Sequence, residues 1–330
     1  MSIIYVDEQG ASIRKEGQAI VVSKDGALIG ELPLSQLDRI CIVGNVQIST
    51  PVFSFLLDNG IPVSFVSTGG RYRGELTPGG SKNVVLRLAQ FRKSQDTEFC
   101  LALSTTIVTS KIRNFRELLL RHRRNHPQVP LEEEIDRLSA LVKSCLSATD
   151  LDQLRGCEGA ASRTYFGALG KMVRREFSFE KRSRRPPRDP VNSLLSLGYT
   201  LLCSDIVSAL SASGFDPFLG FYHKPEYGRP SLAVDMMEEF RYLIDGLALT
   251  LINKAMLAVT DFEEVEGGGC YLTKPARKMF YHRYESRIRE KVKYDPTGEA
   301  VNYRRVFFYQ AQNLARCLTS DAEYKPFLIR

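Results

Sequence analysis

Apolar residues come in short runs at the start of the chain: Ile3–Val6 and residues 19–22, 40–43, 46–48 and 61–66. Turn residues such as Asp25-Gly26 and Gly69-Gly70 separate them, so this stretch is expected to form strands. One short helix should interrupt the strands, with Thr50 as its N-cap, Pro51 at the first helical position and Asn59-Gly60 as its stop. A small β-sandwich or rolled sheet ending near Leu76 follows from that pattern. The run Thr77-Pro78-Gly79-Gly80-Ser81 is a composition break, and beyond it the apolar spacing turns helical. The chain is therefore expected to be α+β, with a β-sandwich-like domain over residues 1–80 and a larger all-α domain over residues 81–330.

In the second part, one long helix or a pair of helices should cover residues 84–124, closed by Asn125-His126-Pro127. A shorter amphipathic helix carries Leu131, Ile135, Leu138, Val142 and Cys145 on one face. In the next helix, Leu151, Leu154, Glu158, Ala161, Tyr165, Leu169 and Met172 recur at intervals that form a single face. Glu158 thus stands where an apolar side chain is expected. Burying a carboxylate is costly unless it is paired, protonated or bound to a metal, so Glu158 is either salt-bridged to Arg155 or Arg163 or functional. Asp189-Pro190 should cap another helix, whose apolar positions Leu194, Leu195, Leu201, Leu202, Ile206 and Leu210 run to a stop at Gly214. Residues 243–257 and 306–318 read as core, and residues 322–330 as an ordinary terminal tail.

Composition narrows the class. Hydrophobic content of 43% and charged content of 25% are ordinary for a globular protein. No basic start followed by an apolar run suggests a signal peptide, and no uninterrupted apolar stretch is long enough to span a bilayer, so no membrane is expected as a partner. The seven cysteines are odd in number and never form a C-x-x-C pair, which argues against zinc ribbons and a disulfide framework and for a reducing cytoplasm. The formal charge of +7 is better understood from its clustering. Arg121-His122-Arg123-Arg124 is one cluster; a denser one runs from Arg174-Arg175 through Lys181-Arg182-Ser183-Arg184-Arg185-Pro186-Pro187-Arg188. Each alone fits a solvated loop, whereas two together favour a polyanion such as nucleic acid. Farther on, Lys274, Arg277, Lys278, Arg283, Arg287 and Arg289 interleave with Tyr281 and Tyr284, a pattern that suits either backbone tracking with base stacking or a plain solvated helix. The turn Gly69-Gly70-Arg71-Tyr72-Arg73 flanks an aromatic with two cations, and serves equally as a DNA-contacting tip or a solvated hairpin.

The candidate chemistry lies in the loop Gly214-Phe215-Asp216-Pro217-Phe218-Leu219-Gly220-Phe221-Tyr222-His223 and the helix that opens after Pro230. Asp235, Glu238 and Glu239 project from neighbouring turns of that helix, where like charges repel unless a cation joins them. Oxygen ligands with one imidazole suit Mg²⁺ or Mn²⁺, and the nitrogen tilts the preference toward Mn²⁺. Set against this, the carboxylates read equally as an exposed acidic face, although Val234, Met236, Met237 and Phe240 among them argue for burial.

Taken in order, Gly156-Cys157-Glu158-Gly159-Ala160-Ala161 with Tyr165-Phe166, Arg185-Pro186-Pro187-Arg188-Asp189-Pro190-Val191-Asn192, Gly214-Phe215-Asp216-Pro217 through Gly220-Phe221-Tyr222-His223, Arg229-Pro230-Ser231-Leu232, Asp235, Glu238-Glu239-Phe240-Arg241, Tyr271-Leu272-Thr273, Gln312 and Tyr324-Lys325-Pro326-Phe327 resemble the CRISPR-associated protein one family. The resemblance covers essentially the whole chain. It implies an N-terminal β domain for dimerisation and DNA contact, a helical catalytic domain, and a Mg²⁺ or Mn²⁺ ion held by Glu158, His223 and Glu238, with Asp235 a further possible ligand. Some members carry Asp at the position of Glu238. It further implies a homodimer that assembles with CRISPR-associated protein two and joins the 3′-hydroxyl ends of a spacer-precursor duplex to the CRISPR repeat. Arg71, Arg73, Arg182, Arg184, Arg185, Arg188, Arg229, Arg241, Lys274 and Arg277 are then the candidate contacts to double-stranded DNA. The rival reading is a non-catalytic DNA-binding scaffold whose carboxylates are structural.

Overall fold

The computed structural model describes residues 3–33, 37, 39–68, 72–77, 83–173, 177–296, 298–320 and 322–329. The chain divides into two compact units, Met1–Ser81 and Lys82–Arg330.

The first unit holds two four-stranded sheets. One is formed by β1 (Ile3–Val6), β5 (Arg39–Val43), β7 (Val63–Val66) and β8 (Tyr72–Leu76), in that order. The other runs β4 (Ala27–Pro33), β3 (Ala19–Lys24), β2 (Ser12–Glu16) and β6 (Gln47–Ile48). Both contribute to a single core: Ile13, Ile20 and Val22 from one sheet meet Ile40, Ile42 and Val63 from the other, together with Val52, Phe55 and Leu56 of helix α1 (Thr50–Asp58). Two strands escape the hydrophobic pattern. In β2 only Ile13 among Ser-Ile-Arg-Lys-Glu is apolar, and it is the side chain that the core takes. In β4 the apolar Leu28 and Ile29 are exposed, so apolar runs there do not report burial. The helix starts one residue earlier than expected, with Ser49 in the cap position and Thr50 already helical.

The second unit is mainly helical but not all-α, which corrects the expectation. It carries two small antiparallel hairpins, β9 (Phe262–Val265) with β10 (Gly269–Leu272), and β11 (Lys291–Tyr294) with β12 (Glu299–Asn302). The expected helical stretch over 84–124 is a pair, α2 (Val84–Ser94) and α3 (Thr97–Asn125), because Asp96 accepts the Phe99 amide at 3.0 Å and starts a new helix. Next come α4 (Glu132–Leu146) and α5 (Leu151–Met172). Helix α6 (Pro190–Ser213) opens on Asp189, which accepts the Asn192 amide at 2.8 Å, and ends on Gly214 at φ 97°, a left-handed cap that glycine adopts without strain. This helix is long and apolar enough to cross a membrane by composition, yet most of it is buried inside the unit, where it is the central core helix. Helix α7 (Ser231–Met237) passes through a tight 3₁₀ turn, Glu238–Phe240, into α8 (Arg241–Asn253), followed by α9 (Lys274–Arg289) and α10 (Tyr303–Ser320).

Residues 322–329 are no loose tail. Tyr324 and Phe327 are buried, and the Ile329 amide donates to Asn114 Oδ1 of α3 at 3.0 Å. Helices α3 and α5 are locked by the face-to-face stack of Phe115 on Tyr165, with ring centroids 3.6 Å apart. Phe115 lies one helical turn beyond Lys111 on α3, and Tyr165 two turns beyond Glu158 on α5.

Candidate functional site

The site is assembled from α3, α5, the loop ending at His223, and the α7–3₁₀ junction. The loop is shaped by two buried polar side chains. From one side, Gln90 of α2 donates to the carbonyls of Asp216 and Leu219, both at 2.8 Å, and accepts the Asp216 amide at 2.9 Å. From the other, Asp235 is fully buried and accepts the amides of Phe221 at 2.7 Å, Tyr222 at 3.0 Å and His223 at 2.9 Å. A Cβ on Gly220 would come 2.8 Å from Asp235 Oδ2, so only glycine lets the loop close on this carboxylate.

Asp235 also contacts the His223 ring, with Nδ1 2.6 Å from Oδ1. A carboxylate there accepts the Nδ1 proton, which fixes the tautomer and leaves Nε2 as the nitrogen for a metal or a proton. Asp235 was expected as a possible ligand; both its oxygens are instead spent on the loop and on orienting His223.

Glu158 sits on α5 with its side chain 23% exposed, and its Oε1 accepts the Ser162 hydroxyl at 2.7 Å. Its ionic partner is neither Arg155 nor Arg163. Arg155 turns to Asp152 and the Tyr222 carbonyl, and Lys111 of α3 pairs with Glu158 Oε1. The same ammonium lies 2.7 Å from Glu238 Oε2, so a single buried lysine bridges the two glutamates. Glu238 is further held by Arg241, whose Nε and Nη2 donate to its two oxygens at 2.7 and 2.8 Å. Arg241 in turn stacks on the Tyr199 ring at 4.7 Å, and Arg182 lies against the same ring at 5.5 Å. Tyr199 and Tyr165 both donate to the buried Asp245, at 2.5 and 2.7 Å.

Burial opposes ionisation of Glu238, but the Arg241 guanidinium and the Lys111 ammonium outweigh it and hold its carboxyl well below the usual range. Glu158 is likewise disfavoured by burial and lowered by Lys111, against the repulsion of Glu238. His223 also lies within electrostatic range of Glu238. Among the described residues no three His, Cys, Asp or Glu side chains stand as a ready cage for a cation. The donor chemistry nevertheless suits Mg²⁺ or Mn²⁺, and the space between the carboxylates accommodates positive charge, because an ammonium is there.

Glu239, one residue on, points away. It accepts from Tyr324 Oη at 2.6 Å, from the Phe327 amide at 2.8 Å and from Gln310 at 3.0 Å, and burial pushes its carboxyl up to about 7.

The candidate DNA contacts separate into distinct environments. Arg184, Arg185 and Arg188 are exposed, and Arg184 lies close enough to Arg241, Glu238 and Glu158 to feel their charges. Arg188 donates to the Gly267 and Gly268 carbonyls at 3.2 and 3.1 Å. Arg182 turns inward and donates to Asn192 at 2.7 Å and Ser196 at 3.0 Å, so it holds the loop. Arg241 is 8% exposed and engaged with Glu238, which makes it part of the site's interior and not a surface contact. Arg229 pairs with Glu226 at 3.3 Å. Lys274 is exposed, and Arg277 is half-buried with Nη1 near the Leu272 carbonyl at 3.4 Å. Tyr281 and Tyr284 are buried, and Tyr284 donates to Asp205 at 2.8 Å; neither is available to stack on bases. Arg73 is exposed on β8 in the first unit, and Arg71 and Arg174-Arg175 lie outside the described residues.

Three participants escaped the sequence reading: Lys111, Gln90 and the Asp235–His223 contact. For the first two a signal existed. Lys111 lies between Ile107 and Phe115 on the buried stripe of α3, and Gln90 follows Leu86 on the buried face of α2, each a polar residue on an apolar face as Glu158 is.

The sequence profile described as "CRISPR associated protein Cas1" matches residues 4–286. The "CRISPR-associated endonuclease Cas1 2" of Rhodospirillum rubrum is 36% identical over 338 residues, covering 99% of this chain and 97% of its own. Among solved structures, a chain of a "Cas6-RT-Cas1--Cas2 complex" aligns with TM-score 0.84 and 28% identity, over 99% of this chain and 36% of that one. A "Casposase bound to integration product" aligns with TM-score 0.88 and 21% identity, over 98% of this chain and 92% of that one, a likeness of fold. With a profile match over most of its length and a full-length relative at this identity, the chain belongs to the Cas1 family.

Proposed function

We propose that this chain is a divalent-metal-dependent DNA endonuclease and integrase of CRISPR adaptation, joining the 3′-hydroxyl ends of a spacer-precursor duplex to repeat DNA. The observation that carries it is the convergence of Glu158 and Glu238, from segments far apart in sequence, on one buried cationic position, with Glu238 within electrostatic range of the His223 imidazole whose tautomer Asp235 sets. Glu158, Glu238 and His223 Nε2 are the ligands in this reading. When bound, Mg²⁺ or Mn²⁺ supplies Lewis-acid stabilisation of charge on a phosphodiester and activation of the attacking hydroxyl. The protein's own part is placement. Asp235 orients the imidazole, Ser162 and Arg241 fix the two carboxylates, and burial keeps competing water from screening them.

The exposed Arg184, Arg185 and Arg188 supply positive charge for the DNA backbone at the rim. A homodimer acting with Cas2 fits the full-length match to relatives named as Cas1 endonucleases and the similarity to a chain of a Cas1–Cas2 complex. The test is incubation of a labelled duplex with a repeat-bearing plasmid, with and without Cas2 and with and without Mn²⁺ or Mg²⁺. Metal-dependent joining is expected; DNA binding without joining under every condition favours a scaffold.

A further inference from the structure

We infer that Lys111 is a resident cation that a divalent metal must displace, and that it thereby sets the metal affinity of the site. The inference rests on the metal-dependent reading above and adds to it a residue with a defined role.

The geometry is specific. The Lys111 ammonium contacts Glu158 Oε1, lies 2.7 Å from Glu238 Oε2, and its side chain is 6% exposed. It therefore stands between two of the three side chains proposed as ligands. Charge makes coexistence with a metal unfavourable. Two carboxylates are already balanced by one ammonium and one guanidinium, so a bound divalent ion leaves two excess positive charges in this buried space, and the departure of one resident cation halves that excess.

Of the two cations, Lys111 is the one able to leave. Arg241 is fixed by a two-point fork to Glu238 and by stacking on Tyr199. Among the described residues the Lys111 ammonium hydrogen-bonds only the two glutamates, lies 5.6 Å from the centre of the Phe115 ring, and rides on a flexible four-carbon stem. In the metal-free protein the lysine also has a protective effect, since it suppresses the repulsion between Glu158 and Glu238. The exchange is one of ions alone: the ammonium swings out still protonated as the metal moves in, and no covalent bond changes.

The test uses the full-length protein and MnCl₂ alone, with bound Mn²⁺ measured by the loss of the free-ion electron paramagnetic resonance signal. Lys111→Met, which keeps the stem and removes the charge, should bind Mn²⁺ tighter than wild type by about tenfold or more. Equal or weaker binding by the folded variant means that the ammonium does not oppose the metal, and that result overturns the inference. A lysine that stayed in place would also repel the metal, so displacement itself is read on the wild-type protein. Acetylation of Lys111 by an N-hydroxysuccinimide ester, followed by peptide mass spectrometry, should rise severalfold on adding MgCl₂ while acetylation of the exposed Lys274 stays level. Lys111 reactivity that Mg²⁺ leaves unchanged overturns the inference too. Absence of Mn²⁺ binding by wild type and variant alike contradicts the metal reading on which it rests.

Discussion

Asp235 Oδ1 lies 2.6 Å from His223 Nδ1, while the two oxygens of the same carboxylate accept three consecutive backbone amides, of Phe221, Tyr222 and His223. One buried side chain thus sets both the path of the loop and the tautomer of the imidazole it delivers. Asp235→Asn removes the charge and offers only one accepting oxygen. It should lower Mn²⁺ affinity and strand joining by about 10–100-fold, the usual cost of losing the partner of a metal-binding histidine. Isothermal titration and a joining assay read the two effects, and unchanged values of both would show that His223 needs no orienting partner.

Arg241 and Glu238 form a buried two-point ion pair, and removing Arg241 leaves Glu238 with only the Lys111 ammonium that it shares with Glu158. Arg241→Met should destabilise the fold by roughly 3–5 kcal/mol in urea denaturation, with Arg241→Lys losing clearly less because it keeps the charge and gives up only the fork. Equal losses in the two variants would mean that shape and not charge is what Glu238 requires.

Asp245 makes stability depend on pH in a definite direction. Burial pushes its carboxyl up from 3.8 to about 6, against the hydrogen bonds from Tyr199 and Tyr165. A folded-state pKa above the unfolded value means that protonation favours the fold. The group's contribution is complete below 3.8 and is lost as pH rises through about 6. Asp245→Asn cannot titrate, so the gain in stability between about pH 8 and pH 5 should shrink by about 1.4 kcal/mol. Denaturation midpoints at the two pH values test this, and an undiminished gain would place the pH dependence elsewhere.

The basic loop separates into two kinds of arginine. Reversing the exposed Arg184 and Arg185 to Glu should weaken DNA binding and reduce the salt slope by about 0.9 for each phosphate that is no longer neutralised. Arg182→Ala should act chiefly on stability, since Arg182 lies against Tyr199 and bonds Asn192 and Ser196. Fluorescence anisotropy over a salt series, beside thermal melts, distinguishes the two; an unchanged slope in the double reversal would remove the loop from the DNA path.

What the sequence made legible follows from periodicity. Glu158 stood out because helical spacing left it on an apolar face, and the caps Asp189 and Gly214 framed α6 by local chemistry alone. What stayed hidden depends on contacts between distant segments. Residues 322–329 read as a tail because their partners, Glu239 and Asn114, lie far back in the chain. Asp235 looked like a ligand because spacing places a carboxylate on a face without showing that a loop has already used its oxygens. Lys111 was passed over because a lysine inside a long helix normally carries its charge to solvent, and only the opposing glutamates explain why this one does not.

The central claim is that Glu158, His223 and Glu238 together hold a metal that drives strand chemistry on DNA. Its most direct test is Mn²⁺-dependent joining of a labelled duplex by Glu158→Gln and His223→Ala, with DNA affinity measured in parallel. Joining should disappear in both variants while DNA binding largely survives. Full joining activity by either folded variant would contradict the assignment.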